Sequence, residues 1–267
     1  MKKMTILIPT FERVHALIAT LMSLSNQTYR NFDIVIADQS HNNEVVDDNT
    51  FHAIYRFLEQ QGSHIKILKN LPRHGLAQQR HFLLSKSETP FSLFLDDHLL
   101  LEPYVLQNMI TVMDREQCGF VGCAPVGLSF SNDFRPEEEH IEFWDGKVKP
   151  EKIVVNGEKW DRFRLHNAAN ILHVAQKLDL DPAHPQSYKV AWVGGCVLYD
   201  TKKLRDSGEF SFWNYLPNEH AGEDVLVQLR MMEQFGGCGL IPSGVYHQEL
   251  PTTIIDRSVN APEYLGK

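Results

Sequence analysis

The chain has 267 residues, 43% of them hydrophobic, and a formal net charge of −8. That length and apolar content bury a sizeable core without disulfides, and the anionic balance excludes a sequence-independent nucleic-acid binder, which needs surplus cations against phosphates. No run reaches the ~18 apolar residues of a bilayer-spanning helix, and Pro9, Glu12 and Arg13 interrupt the opening apolar run too early for a signal peptide. Residues 4–10 then read as a short buried strand broken at Pro9, and the periodic Leu17, Ile18, Leu21, Met22 and Leu24 as a helix closed by Gln27-Thr28-Tyr29. Residues 32–38 give a second strand ending in an acid, so strand, helix and strand imply a right-handed parallel crossover. A helix through Ile54, Phe57 and Leu58 leads to a strand at 65–68. After a turn at Asn70-Leu71-Pro72, a helix over 76–84 leads to an apolar strand ending at Leu95. Three crossovers at about 30 residues each predict an open, doubly wound, mostly parallel α/β sheet in one domain.

The apolar strand runs directly into Asp96-Asp97-His98. A parallel strand ends at the sheet edge where α/β proteins bind ligands, and strand alternation predicts that Asp96 and His98 share a face. Oxygen and nitrogen donors there suit Mn²⁺ or Mg²⁺ bridging the phosphates of a nucleotide. Further on, residues 131–140 read as a solvated loop, and 125–188 has no legible pattern. Residues 192–199 read as a strand entered through Gly194-Gly195. Gly222-Glu223-Asp224 opens a periodic helix, and acids in a first turn either favour the helix dipole or serve as catalytic carboxylates. The glycine-rich stretch 236–242 turns into a strand-like Val245-Tyr246-His247, whose imidazole reaches toward the same metal. Phe210, Phe212, Trp213 and Tyr215 offer either a sugar-stacking platform or buried loop anchors. Cys118, Cys123, Cys196 and Cys238 lack zinc spacing and read as buried free thiols in a reducing compartment, so a cytoplasmic location is expected.

Taken in order, Ile8-Pro9-Thr10-Phe11-Glu12-Arg13, Asp38 at a strand end, Gly75-Leu76-Ala77 with Arg80, Phe94-Leu95-Asp96-Asp97-His98, Gly194-Gly195 and Gly222-Glu223-Asp224 resemble the family-two nucleotide-sugar glycosyltransferases. The likeness runs from about Thr5 to His247. It implies a GT-A-like domain with a Rossmann-like sheet flanked by helices. Residues 1–100 would form the nucleotide-binding half, 101–250 the acceptor-binding half and 251–267 a tail. One departure is His98, where family-two enzymes usually carry Asp. An Asp-x-His motif with a later His is similar to the polypeptide N-acetylgalactosaminyltransferases, whose Gly-Glu-Asn stretch also resembles Gly222-Glu223-Asp224.

The resemblance implies metal-dependent transfer of a sugar from a nucleoside diphosphate donor, with UDP expected, to a glycan, lipid-linked or other hydroxyl acceptor. It places the metal on Asp96, His98 and His247, with Asp97 nearer the donor ribose or sugar. Pro9, Thr10 and Glu12 would flank base and ribose, Asp38 would accept from a uracil-like imide, and Gly75 with Arg80 (or Arg73) would meet base or phosphates. Gly194 and Gly195 would admit the donor, Asp224 would be the base, and Glu223 would contact a sugar. Asp224, where the retaining relatives have Asn, favours inversion. A lipid acceptor would bring peripheral membrane contact. Taken singly, each residue has a plain alternative: Glu12 and Arg13 as caps, Asp38 in a turn, Arg80 as a solvated helix residue.

Two other classes remain. A nucleotidyltransferase acting on sugar phosphates would share sheet and metal, but wants a glycine-rich phosphate loop where this chain has Thr10-Phe11-Glu12-Arg13. A non-catalytic nucleotide- or carbohydrate-binding module would keep the aromatics and lose the acids.

Overall fold

The computed structural model describes residues 3–266. Strand β1 (Met4–Thr10) is buried along its whole length, because both faces of a central parallel strand are covered. Alternation sends Ile6 and Ile8 into one core layer and Leu7 into the other. Helix α1 (Val14–Ser25) lays Leu17, Leu21 and Leu24 on the first layer and returns the chain to β2 (Phe32–Asp38), parallel to β1 with Ile6 opposite Ile34. A short α2 (Glu44–Asp47) and an amphipathic α3 (Asn49–Gln60), capped by Asp48 at the Phe51 amide, lead to β3 (Ile65–Lys69). Helix α4 (Gly75–Leu84) covers the opposite face and delivers β4 (Phe91–Leu95) beside β1. The parallel order β3-β2-β1-β4 is the doubly wound arrangement the crossovers predict.

The second half extends this sheet and mixes its directions. After β5 (Leu99–Leu101) and α5 (Val105–Glu116) come β6 (Phe120–Gly122), α6 (Asn170–Lys177), β7 (Gln186–Tyr188), β8 (Cys196–Asp200), α7 (Thr201–Asp206) and α8 (Glu223–Phe235). Strands β9 (Gly237–Ile241) and β10 (Val245–His247) and helix α9 (Ala261–Leu265) close the described chain. The eight-stranded order is β3-β2-β1-β4-β8-β6-β9-β7, with β8 antiparallel to both neighbours, and β5 pairs with β10 in a separate ribbon. The four cysteines are free and buried.

One expectation is corrected and two are refined. The stretch 236–242 is not merely a turn, because Gly237–Ile241 is strand β9. Its glycines make room for aromatic rings: a Cβ on Gly237 would lie 2.2 Å from the Phe120 ring, and one on Gly239 would lie 2.2 Å from Tyr188. Phe210 and Phe212 are buried anchors in the core rather than a platform, leaving Trp213 half-buried and Tyr215 exposed. The loop 131–140 is pinned at its end. Glu138 accepts from Asn167 and Asn170 at 3.1 Å each, and Glu139 meets Lys177. The region around it is built from 3₁₀ turns (Leu128–Phe130, Pro136–Glu138, Glu158–His166) that are tied together by ions, with Arg162 gripping Glu142 (2.9 Å) and Glu151 (2.6 Å). Such short turns leave no hydrophobic period to read.

Candidate active site

The strand alternation expected of Asp96 and His98 does not occur. β4 ends at Leu95, and Asp96-Asp97-His98 form the turn into β5. The Asp96 amide donates to Gly195 O at 2.8 Å, which ties this turn to the entrance of β8. Gly195 has φ +74, and a Cβ there would press on Leu99 and Pro125 at 3.1 Å and on the Asp96 carboxylate at 3.5 Å. Glycine is therefore favoured at position 195, where the two strands part.

The two aspartates have different partners. Asp97 is 5% exposed: Thr10 donates to its Oδ2 at 2.7 Å, while Oδ1 lies 3.2 Å from His98 Nδ1 and 3.7 Å from Arg13 Nη1. Thr20 donates to its carbonyl at 2.9 Å. Asp96 is more open, its side chain 26% exposed, and it takes Arg80 Nη2 on Oδ1 at 3.2 Å. The same guanidinium donates through Nε to Glu223 Oε1 at 3.0 Å. Arg80 is therefore a buried bridge from the tip of β4 to the first turn of α8 rather than a solvated helix residue. Asp224, the next residue, is half-buried, with its Oδ1 accepting from the Val225 amide at 2.8 Å.

Three carboxylates around one guanidinium leave spare negative charge. Burial, reinforced by Asp224, pushes Glu223 up to about 7 against the pull of Arg80. Burial also raises Asp224, with Arg80 opposing and Asp96 adding to the rise. Arg80 stays ionised, since the fields of Asp96, Glu223 and Asp224 outweigh the cost of its burial.

His98 and His247 stand side by side, their rings 5.2 Å apart, because β10 places His247 opposite Leu99 in the ribbon. Burial lowers the pKa of His247, with His98 adding to the effect and Asp96 opposing it. His98 Nδ1 lies 3.2 Å from Asp97 Oδ1 and 3.4 Å from Arg13 Nη1, so the ring is held at this nitrogen by a carboxylate and a guanidinium. One carboxylate and two imidazoles suit a divalent cation in kind. Among the described residues no three His, Cys, Asp or Glu side chains are drawn into a finished metal cage.

The remaining expected residues line the ends of β1 and β2. Pro9 and Thr10 are buried. Glu12 is exposed with φ 52, its amide donating to Ser40 Oγ at 2.8 Å. Asp38 is fully buried, accepting from the Ser40 amide at 2.8 Å and pairing with Lys69 at 2.7 Å. Arg73 lies over the Phe11 ring at 3.6 Å. Gly194 stands in the β8 entrance beside Trp192 and Gly75 opens α4. Gln228 had escaped notice: it accepts from Val193 N at 2.8 Å and donates to Val193 O at 2.7 Å, clamping α8 to the chain just before the glycine pair. Its signal was a lone amide four residues beyond Asp224, on a face otherwise carrying Val227, Met231 and Met232.

Residues 5–172 match the model of Glycosyl transferase family 2. The chain belongs to that family. Its fold is a glycosyltransferase fold, and similar structures include S. aureus TarS 1-349 (TM-score 0.58, 15% identity, 98% of this chain and 61% of that one). Another is the mannosyltransferase PcManGT from Pyrobaculum calidifontis in complex with GDP-Man and Mn²⁺ (TM-score 0.57, 12% identity, 95% and 59%). TarS 1-349 in complex with UDP-GlcNAc also superimposes, with a TM-score of 0.58 and 15% identity over 94% of this chain and 60% of that one. In sequence the family-two domain is 26% identical over 117 residues to the UDP-Glc:alpha-D-GlcNAc-diphosphoundecaprenol beta-1,3-glucosyltransferase WfgD of Escherichia coli, covering 44% of this chain and 43% of that protein. The family-two domain thus spans less than half of that relative and about three fifths of the matched structures. No helix among the described residues is long and apolar enough to cross a membrane.

Proposed function

We propose that this family-two domain transfers a sugar from a UDP-linked donor to a hydroxyl of a lipid-linked or other glycan acceptor, with inversion at the anomeric carbon and with a divalent cation. The observation that carries this reading is the Arg80 bridge, which brings the β4 tip and the Glu223-Asp224 helix start together. The donor side is supported by TarS, a structural neighbour in complex with UDP-GlcNAc, and the acceptor class by WfgD, whose acceptor is a GlcNAc-diphosphoundecaprenol. Residues 1–100 carry the nucleotide in this reading, 101–250 the acceptor, and 251–267 follow as a tail. Four reduced thiols and a nucleotide-sugar donor both suit the cytoplasm.

In the transfer, Asp224 takes the acceptor hydroxyl proton as that oxygen bonds to the anomeric carbon. The bond from that carbon to the donor phosphate breaks, and its electron pair leaves with the diphosphate. The raised pKa of Asp224 makes it a stronger base than a solvent-exposed carboxylate. Glu223, buried and locked on Arg80, holds the helix start in place. Asp97, occupied by Thr10 and His98, orients His98. Asp96, His98 and His247 would hold the cation, which when bound neutralises charge on the departing diphosphate as a Lewis acid. In this reading Glu12, Gly194 and Gly195 lie on the donor side, and the buried Pro9, Thr10 and Asp38 support it from behind with the half-buried Gly75.

Titration calorimetry with UDP, with and without Mn²⁺, tests the reading. The native chain is expected to bind UDP more tightly with Mn²⁺, and Asp96→Asn to lose that gain. Mn²⁺-independent binding unchanged by Asp96→Asn would remove the metal assignment.

A further inference from the structure

The Arg80–Glu223 contact needs two helices distant in sequence to meet in register. Helix α4 starts without help from its own boundary residue, since His74 makes no side-chain capping bond. The cap comes from elsewhere: His220 Nε2 accepts from the Ala77 amide at 3.1 Å. The other ring nitrogen, Nδ1, lies 2.8 Å from Pro217 O. A carbonyl only accepts, so Nδ1 carries the proton and Nε2 presents the lone pair the cap requires. Burial lowers the His220 pKa, which keeps this neutral form at ordinary pH.

Gly75 is shaped to this ring. A Cβ there would lie 2.3 Å from His220 Cε1 and 2.4 Å from Asn218 O, and the backbone sits at φ +85. The glycine therefore admits a brace from the α8 side, a use separate from the donor contact its sequence context implies. Register completes the case. Ala77 precedes Arg80 by three residues and His220 precedes Glu223 by three, so the two bonds run in parallel between the same two segments.

We propose that His220 is a positioning residue that locks α4 to the start of α8 and thereby sets Arg80 between Asp96 and Glu223. The imidazole touches neither substrate nor cation; it acts through the helix it caps. The activity arm of the test rests on the transferase reading, while the structural arm does not.

The test compares His220→Leu, which removes the acceptor, with His220→Gln, whose carbonyl oxygen reaches a similar point and still accepts. Hydrogen exchange at the Ala77 amide is expected to speed up in His220→Leu and to stay near native in His220→Gln. In donor turnover, a displaced Arg80 is expected to lower kcat roughly 10- to 100-fold in His220→Leu with donor KM within about twofold, and His220→Gln to recover kcat to within about threefold of native. Unchanged Ala77 exchange in His220→Leu, or a His220→Gln enzyme as slow as His220→Leu, overturns the proposal. If the native chain turns over neither UDP- nor GDP-sugars, the transferase reading fails alone and amide exchange still decides the brace. Should His220→Leu not fold, His220→Gln decides: native-like exchange at Ala77 supports the brace, and accelerated exchange overturns it.

Discussion

Asp96 and Asp97 adjoin at the tip of β4, yet they face regions built on opposite principles. Around Asp97 polar supply and demand are matched: Thr10 holds one oxygen, His98 and Arg13 face the other, and little surface is left. Around Asp96 they are not, since Asp96, Glu223 and Asp224 share the single guanidinium of Arg80, and burial, reinforced by neighbouring carboxylates, raises the pKa values of Glu223 and Asp224. A closed network maintains shape, whereas a surplus of buried charge costs stability and is relieved by a proton or a cation. The difference separates a residue that holds the site together from those left to do chemistry.

That contrast can be broken at three points. The largest effect is expected at Asp224. Asp224→Asn should lower sugar transfer on the order of 10²- to 10⁴-fold while UDP binding by calorimetry persists, because a neutral amide accepts no proton; retained turnover would remove Asp224 as the base. Next comes the pair at the tip. Asp97→Ala leaves Thr10 and Arg13 without their buried partner and should cost about 2–3 kcal/mol in urea unfolding. Asp96→Ala, which also removes repulsion from Asp224, should cost under about 1 kcal/mol. Equal losses would erase the distinction between them.

The smallest effect lies in pH. Folded Glu223 keeps its proton up to about 7, whereas an unfolded glutamate releases it near its ordinary value of 4.5. Between those values folding takes up a proton, so this group leaves stability undiminished at and below pH 4.5 and lowers it as pH rises toward 7. Unfolding free energies from urea titration at pH 5 and pH 8 should therefore differ by on the order of 2 kcal/mol more in the native chain than in Glu223→Gln. An equal pH response in both would mean that Glu223 titrates like an exposed carboxylate.

Much of the frame was legible because short-range pattern and long-range burial agree there. Strands Met4–Thr10 and Phe32–Asp38 are apolar runs bounded by turn residues, and the helices between them repeat on one face, so each element has one way to cover itself. The acids were legible for a related reason: carboxylates directly after a buried strand or opening a helix stand out against their surroundings. Residues 125–188 were not, since 3₁₀ turns and ion pairs such as Arg162 with Glu142 and Glu151 have no period, and their partners are distant in sequence.

By itself the sequence determined the central parallel crossovers, the strand that ends just before Asp96 and the helix that begins at Glu223, because periodicity and turn chemistry act over a few residues. Only the tertiary structure decided which polar atoms meet: Arg80 with both acids, Thr10 with Asp97, and His220 with the amide of Ala77. The reason is that a buried donor must find an acceptor wherever the chain brings one, and that pairing is set by three-dimensional register, which no local pattern encodes.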